Sequence, residues 1–265
     1  MTRASWQSAA MTDAFVKERH DAPPGFFEVE AAGLRWLDVP GGVPVVQPLQ
    51  VSPGRLVTPR LHPVPPTGAA ADEFGRRLAV LHDTGARHFG VPPDEWETDG
   101  YIGTIELPHS LEPTKAWGEF YASLRVRPYL RMAYDQGTID DHQLAVFERL
   151  CRKLTDGAYD DPAEQPCRIH GDLWSGNVFW TADGVQLIDP AAHGGHRETD
   201  LAMLGLFGMP QLERVLRAYN EAHPLTDGWR DRVGLHRLHP LLTHVVMFGS
   251  SYVPRALAIA RKYWR

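Results

Sequence analysis

A polar loop that runs into a β-hairpin constrains this chain more than any other stretch. Residues 168–177 read Arg-Ile-His-Gly-Asp-Leu-Trp-Ser-Gly-Asn, and two β-prone runs follow, Val178 to Trp180 and Val185 to Ile188. Asp183-Gly184 separates the runs, and Asp-Gly in that setting is a strong two-residue hairpin signal. With Asp183-Gly184 as the turn, Ala182 faces Val185, and the antiparallel count sets Asp189 opposite Val178, beside Asn177. A carboxylate and an amide oxygen, distant in sequence, are thereby expected at the open end of one hairpin.

Oxygen donors of this kind suit Mg²⁺, which keeps several waters and is usually completed by phosphates. Asp172 precedes Asn177 by five positions, close enough to orient a hydroxyl beside such an ion. The set has the parts that phosphoryl transfer from ATP requires, because catalysis there is mainly positioning and neutralisation of phosphate charge. In this reading Asp172 is the base, and Asn177 and Asp189 hold the metal. Taken singly, His-Gly-Asp is a tight turn and Asp-Pro a strand end; the combination carries the argument. His170 reads as an orienting residue packed under the loop. Trp174 is either a core ring or a stacking surface for substrate.

The flanking sequence divides in two. Phe15-Val16-Lys17 reads as a strand end, and Phe26, Phe27, Glu30, Leu34 and Leu37 recur at helical spacing until Val39-Pro40-Gly41-Gly42. A lysine on a strand and a glutamate on the next helix can hold ATP phosphates, so Lys17 and Glu30 are candidates. Val43 to Leu49 and Gly54 to Leu61 read as short strands interrupted by prolines. The segment His62-Pro63-Val64-Pro65-Pro66-Thr67-Gly68 is the linker. Beyond it, helical spacing dominates: Phe74–Leu81, Trp117–Leu124, Leu144–Leu154, Leu212–Tyr219 and one run from Val233 through Met247. The expected fold is α+β and bilobal, with a small β-rich lobe at residues 1–63, a larger helical lobe at 64–265 and a ligand cleft between them.

Composition narrows the partners. With 27 Lys and Arg against 33 Asp and Glu, the net charge is −6, and no basic run offers a footprint for nucleic acid or an anionic membrane. No apolar stretch approaches a membrane span, and Met1 to Ala14 lacks a signal-type apolar region. Cys151 and Cys167 are the only cysteines, which argues against a disulfide framework or a zinc site and suits a reducing, cytoplasmic setting.

The strings HGDLWSGN (170–177), IDPAAHGGHRETDLAMLGLFG (188–208) and HFGVPPDEWETDGYIGT (88–104) resemble the fructosamine kinase, or ketosamine 3-kinase, family. Trp117-Gly118-Glu119-Phe120-Tyr121 with Arg125, Leu242-Thr243-His244 and Phe248-Gly249 add to the resemblance. That family lies within the protein-kinase-like superfamily of aminoglycoside phosphotransferases and choline kinases, which shares the HGDxxxxN and Asp189 positions. The resemblance implies Mg²⁺-ATP-dependent phosphorylation of the 3-hydroxyl of a small-molecule or protein-bound ketosamine, a deglycation or protein-repair role. It casts Asp172 as base, Asn177 and Asp189 as metal ligands, Lys17 as phosphate contact, Glu30 as its partner and Trp174 as the ring against the sugar. The adenine-binding hinge would fall in Val57 to Leu61, including Pro59, Arg60 and Leu61, with Pro59 offering no backbone donor.

One feature departs from the fold's usual pattern: Met1 to Ala14 has no glycine for a Gly-rich phosphate turn, so Trp6 to Lys17 reads as the remainder of a first hairpin in a chain shortened at its start. His196, Arg197, Glu198 and Asp200 read as a helix start with a local ion-pair network. Two other readings stay open: a phosphotransferase for another amino sugar or amino alcohol, and a catalytically silent nucleotide-binding protein. Oligomeric state is not legible.

Overall fold

Among the described residues of the first sixty, proline spacing and apolar periodicity produce one small sheet and one helix. The computed structural model describes residues 13–114 and 116–265, so of the first hairpin expected over Trp6 to Lys17 the part before Asp13 lies outside them. Strand β1 (Ala14–Glu18) is followed by α1 (Phe26–Leu37), β2 (Gln50–Ser52) and β3 (Arg55–Pro59). The sheet is antiparallel in the order β1-β3-β2, with Lys17 opposite Leu56. Helix α1 buries Phe27, Ala31, Leu34 and Leu37 on one side, which leaves Glu30 at the border of that face.

Val43 to Leu49 does not form the strand its composition suggests. Pro44 and Pro48 have no N–H to give a ladder, and the segment makes a single parallel bridge from Val45 to Leu187. That bridge matters for placement. The Val46 N–H donates to Leu187 O, and the Leu187 N–H donates to Pro44 O, which ties the N-terminal part to the hairpin carrying Asn177.

After the Pro-rich segment, Thr67 caps α2 (Gly68–Asp83) by accepting the Ala70 N–H at 3.2 Å. Strands β4 (Gly100–Ile102) and β5 (Ile105–Leu107) form a short hairpin. Helix α3 (Trp117–Phe120) continues through a π-helical turn (Tyr121–Val126) into α4 (Arg127–Asp135), and α5 (Asp141–Thr155) starts at a capping box of Asp140 and Gln143. Strand β6 (Cys167–Ile169) leads to the polar loop, a 3₁₀ turn (Ser175–Asn177), β7 (Val178–Thr181) and β8 (Gly184–Leu187). Then come β9 (His193–Gly195), which pairs with β6, and α6 (Arg197–Leu204).

The chain closes with α7 (Leu212–Ala222), α8 (Trp229–His236), α9 (Leu238–Phe248) and α10 (Val253–Trp264). Helices α8 and α9 occupy the run expected to be one helix. Pro240 cannot donate to residue 236, so the first helix cannot run through it, whereas a proline is tolerated in the opening turn of the second. Among the described residues, no helix is long and apolar enough to cross a membrane.

Two apolar clusters organise these elements. One lies among the later helices, around Phe120, Tyr121, Phe147, Leu150 and Leu242. The other joins Leu34 and Leu56 from before the Pro-rich segment to Phe74, Leu78, Leu173, Leu187 and Val215 after it. The hairpin after the polar loop therefore rests on a core built from both sides of that segment.

Helices α2 and α7 approach closely at Gly75, where an added Cβ would lie 2.3 Å from Val215 O. Gly75→Ala is expected to force the helices apart and to cost about 1–3 kcal/mol, as overpacked cores do. Urea unfolding measures this; an unchanged midpoint would show that the pair can slide at no cost.

Candidate active site

The loop after β6 is shaped by a glycine and held by a carboxylate. Gly171 has φ 78°, and a Cβ there would meet Ala191 O at 2.2 Å, so the position admits only glycine on both counts. Asp200, on α6 and fully buried, accepts the His170 N–H at 2.7 Å and the Gly171 N–H at 3.0 Å. His82 Nε2 lies 3.3 Å from the same carboxylate, and its Nδ1 lies 2.8 Å from the Tyr219 hydroxyl. His170 itself is buried, and burial lowers its pKa, which favours the neutral ring. The tautomer with a proton on Nε2 donates to Ile188 O at 2.8 Å and leaves Nδ1 to accept the Asp172 N–H at 3.3 Å. It thus holds the loop against the strand leading to Asp189.

Asn177 meets Asp172 directly. Its Nδ2 donates to Asp172 O at 2.8 Å and to Asp172 Oδ2 at 3.1 Å, and approaches Asp189 O at 3.4 Å. With the amide nitrogen so engaged, Oδ1 is the atom available to a cation. Burial pushes the Asp172 carboxyl up to about 7, with the Asn177 hydrogen bond opposing and the Asp189 charge adding to it. A carboxylate in that range is suited to accept a proton near neutral pH.

The hairpin forms in a register different from the expected one. Thr181 pairs with Gly184 and Val178 with Leu187, so the turn residues are Ala182 and Asp183, and Asp189 lies beyond the last ladder pair. Thr181 Oγ1 stabilises this turn by donating to Gly184 O and accepting the Asp183 N–H. Asp189 still reaches Asn177, by another route. The Ile188 N–H donates to Asn177 O, and Asp189 then adopts φ 55°. That conformation is uncommon outside glycine, and more so before a proline, and such strain concentrates at functional sites. The Ala191 N–H to His170 O bond fixes the far side of the turn.

Lys17 closes the arrangement. Its Nζ lies 2.7 Å from Glu30 Oε1 and 2.6 Å from Asp189 Oδ1. Burial works against the Lys17 charge, but Glu30 and then Asp189 outweigh it and raise its pKa. The partner responds in the opposite sense: burial pushes the Glu30 carboxyl up, and Lys17 offsets only part of that. An ammonium facing two carboxylates stays charged, and the geometry favours the ionised pair. Asn177 and Asp189 present oxygen donors only, on the cleft side of the loop, which fits a hard divalent cation accompanied by phosphates.

Three cavities meet here. A cleft of about 580 Å³ is lined by Lys17, Glu30, Asp172, Asn177 and Asp189. A slot of about 270 Å³ shares Lys17, Glu30 and Asp189 and is walled by Thr58, Pro59, Arg60, Leu61, Phe179 and Ile188. A third cavity, about 380 Å³, shares Asp172 and Trp174 with the cleft. Trp174 is partly exposed, its ring edge-on to Phe207, so it is a cavity wall and not a core ring. Of the slot's backbone donors, Pro59 has none and the Arg60 N–H is taken by Asp13 O at 3.0 Å.

Sequence reasoning missed the role of Asp200 and the participation of His82. The ion-pair network is present for its neighbours: Arg197 bonds Glu164, and Glu198 bonds Arg232. Asp200 is not part of it. The available signal was an acid on a helix turn whose neighbours Leu201, Ala202 and Leu204 are all apolar.

The sequence profile of the fructosamine kinase family matches residues 1–265. A probable ketoamine kinase of Enterococcus faecium is 32% identical over 241 residues, 90% of this chain and 83% of that protein. A chloroplastic protein-ribulosamine 3-kinase of Arabidopsis thaliana is 30% identical, over 96% of this chain and 78% of that protein. Among solved structures, a candidate fructosamine-3-kinase of Thermobifida fusca superposes with TM-score 0.86 at 47% identity, covering 94% of this chain and 84% of that one. A choline kinase of Streptococcus pneumoniae shares the protein-kinase-like fold at TM-score 0.57 and 16% identity, over 95% of this chain and 85% of that one.

Asp200→Asn keeps the shape of the side chain but turns one acceptor into a donor facing the loop's N–H groups. It is expected to cost about 3–5 kcal/mol, as loss of a buried charged partner does, and to expose the His170 and Gly171 amides to hydrogen exchange. Retained protection at both amides would show that other contacts hold the loop.

Proposed function

The chain belongs to the fructosamine kinase family and is a phosphotransferase with an alcohol acceptor, and from that premise we propose that it phosphorylates the 3-hydroxyl of ketosamines with ATP. One observation carries the reading: Asp172 and Asp189 lie where an apolar slot and a second cavity open onto one cleft. Nucleotide and acceptor can then approach the same point from two sides. In this reading residues 1–63 supply Lys17, Glu30 and one wall of the slot, and residues 64–265 supply the loop and the acceptor cavity.

The roles follow from the contacts. Asp172 accepts the proton of the sugar hydroxyl as its oxygen bonds to the γ-phosphorus of ATP and the bond to the β-phosphate oxygen breaks, releasing ADP. Asn177 Oδ1 and the Asp189 carboxylate would hold Mg²⁺, which would supply neutralisation of the phosphate charge. Lys17 would contact the phosphates, with Glu30 as the partner that keeps its ammonium in the cleft. His170 and Asp200 keep the loop in place. Trp174 stacks against the sugar. Adenine fits the slot, its polar contacts falling to backbone carbonyls and to Leu61, since Pro59 and Arg60 have no N–H to spare. The family's deglycation role follows if the phosphorylated adduct falls apart. An intact base, the partner set around it and the open cavities all speak against a silent nucleotide-binding protein.

With Mg²⁺-ATP and fructosyl-lysine or ribulosyl-lysine, mass spectrometry is expected to show one added phosphate. Asp172→Asn should lower kcat by about 10²–10⁴-fold with little change in the KM for ATP, whereas Lys17→Met should raise that KM. Wild-type protein that leaves both adducts untouched would overturn the assignment.

A further inference from the structure

We infer that the acceptor is recognised through its protonated amine, held against aromatic faces beside Asp172 and not by a carboxylate. The inference rests on the ketosamine reading above and specifies which part of that substrate the third cavity takes. Among the described residues lining this cavity, Asp172 is the one carboxylate, and there is no lysine or arginine. The wall beyond Asp172 is built from Trp174, Phe207, His244 and Phe248, with Met203 and Met247 between. Phe207 stands edge-on to Trp174, with centroids 6.2 Å apart and planes at 88°. His244 lies 5.0 Å from Phe207 and 5.3 Å from Phe248, centroid to centroid. Its Nδ1 lies 2.7 Å from Pro240 O, which sets the plane of the ring.

Three of these rings are costly where they stand. Trp174 is 38% exposed, Phe207 43% and Phe248 61%, gathered at one mouth. A clustered apolar rim of this sort marks a place where something binds. The substrate's own geometry says what. In a ketosamine the nitrogen is joined to C1, next to the carbonyl carbon C2, and the reacting hydroxyl is on C3. With that hydroxyl at Asp172, the nitrogen lies four bonds away, within reach of Trp174 and the wall beyond it. The nitrogen is a secondary amine, protonated near neutral pH, and an alkylated ammonium sheds its water more readily than a primary one. A cation of that kind is attracted to ring faces, most strongly to tryptophan. Asp172 is committed to the hydroxyl and to Asn177, so it cannot also serve as the amine's partner.

Two consequences for specificity follow. An acceptor with several ammonium groups would bring more cations into this cavity than its ring faces can hold, with no free carboxylate as counter-charge, at a desolvation cost that excludes it. The nitrogen's second substituent, in contrast, meets an open rim and can continue into solvent. The cavity therefore suits one ketose on one alkyl amine, with a tail of any length, including a lysine side chain of a folded protein.

The test compares two acceptors that carry the same ketose, one on an alkyl amine and one on an uncharged amide nitrogen. Phe207→Leu and Phe248→Leu keep apolar surface but remove the ring faces, and both sites are exposed enough to tolerate the change. Each is expected to raise the KM for the amine acceptor by about twofold to thirtyfold. The KM for ATP and the affinity for the amide acceptor, read as inhibition where turnover is slow, should stay within about twofold of the wild-type values. An equal loss for both acceptors would overturn the inference and leave the rings as apolar packing. No loss for either would remove the cavity from acceptor binding. Wild-type protein that phosphorylates neither acceptor would overturn the kinase reading itself.

Discussion

One buried carboxylate sets the geometry of the whole site. Asp200 has no exposure to solvent, and a charge so placed must be compensated by hydrogen bonds. It finds them in two consecutive backbone N–H groups, those of His170 and Gly171, and in His82. Consecutive amides can converge on one acceptor only if the chain turns sharply between them, and Gly171 makes that turn. The constraint is therefore mutual: the carboxylate is tolerable because the loop turns, and the loop turns because the carboxylate is there.

The rest of the candidate site hangs from this point. His170, immobilised through its backbone, bonds Ile188 O with its ring and Ala191 N–H with its carbonyl. These two contacts bracket Asp189 and Pro190 and hold the strained turn that brings the Asp189 carboxylate into the cleft. Lys17 then joins Asp189 to Glu30, so one ammonium links β1, α1 and the loop after β8. The cation and two anions are shared across elements far apart in sequence, and each is positioned by a different part of the fold. Removing Lys17 would leave two partly buried carboxylates without their counter-charge, whereas loss of either carboxylate still leaves the ammonium one partner.

The sheet and the hairpin are kept in register by a smaller device. Two prolines prevent residues 43–49 from becoming a strand, yet the segment still lends Val46 N–H and Pro44 O to Leu187. The apolar core beneath, with Leu56, Leu173 and Leu187 in one cluster, makes this contact part of a packed body. The strand that carries Lys17 and the hairpin that follows the polar loop are thereby fixed relative to each other without a continuous sheet.

The sequence by itself determined which polar side chains would meet. Asp172, Asn177 and Asp189 were legible as a set because they stand at short spacing around a hairpin, and the structure brings them together. Lys17 and Glu30 were legible because a strand lysine and a helix glutamate pair in a recognisable order. The helices were legible wherever apolar residues kept a 3.6-residue period, and they were misjudged where Pro240 divided one period between two helices. Tertiary structure decided what local pattern cannot encode. The hairpin register shifted because a threonine hydroxyl and a glycine chose the turn. Asp200 became the anchor of the loop because α6 packs under it, a long-range contact without local periodicity. The aromatic rim came together from a loop, from the segment after α6 and from α9, since a cavity is assembled only when distant elements meet.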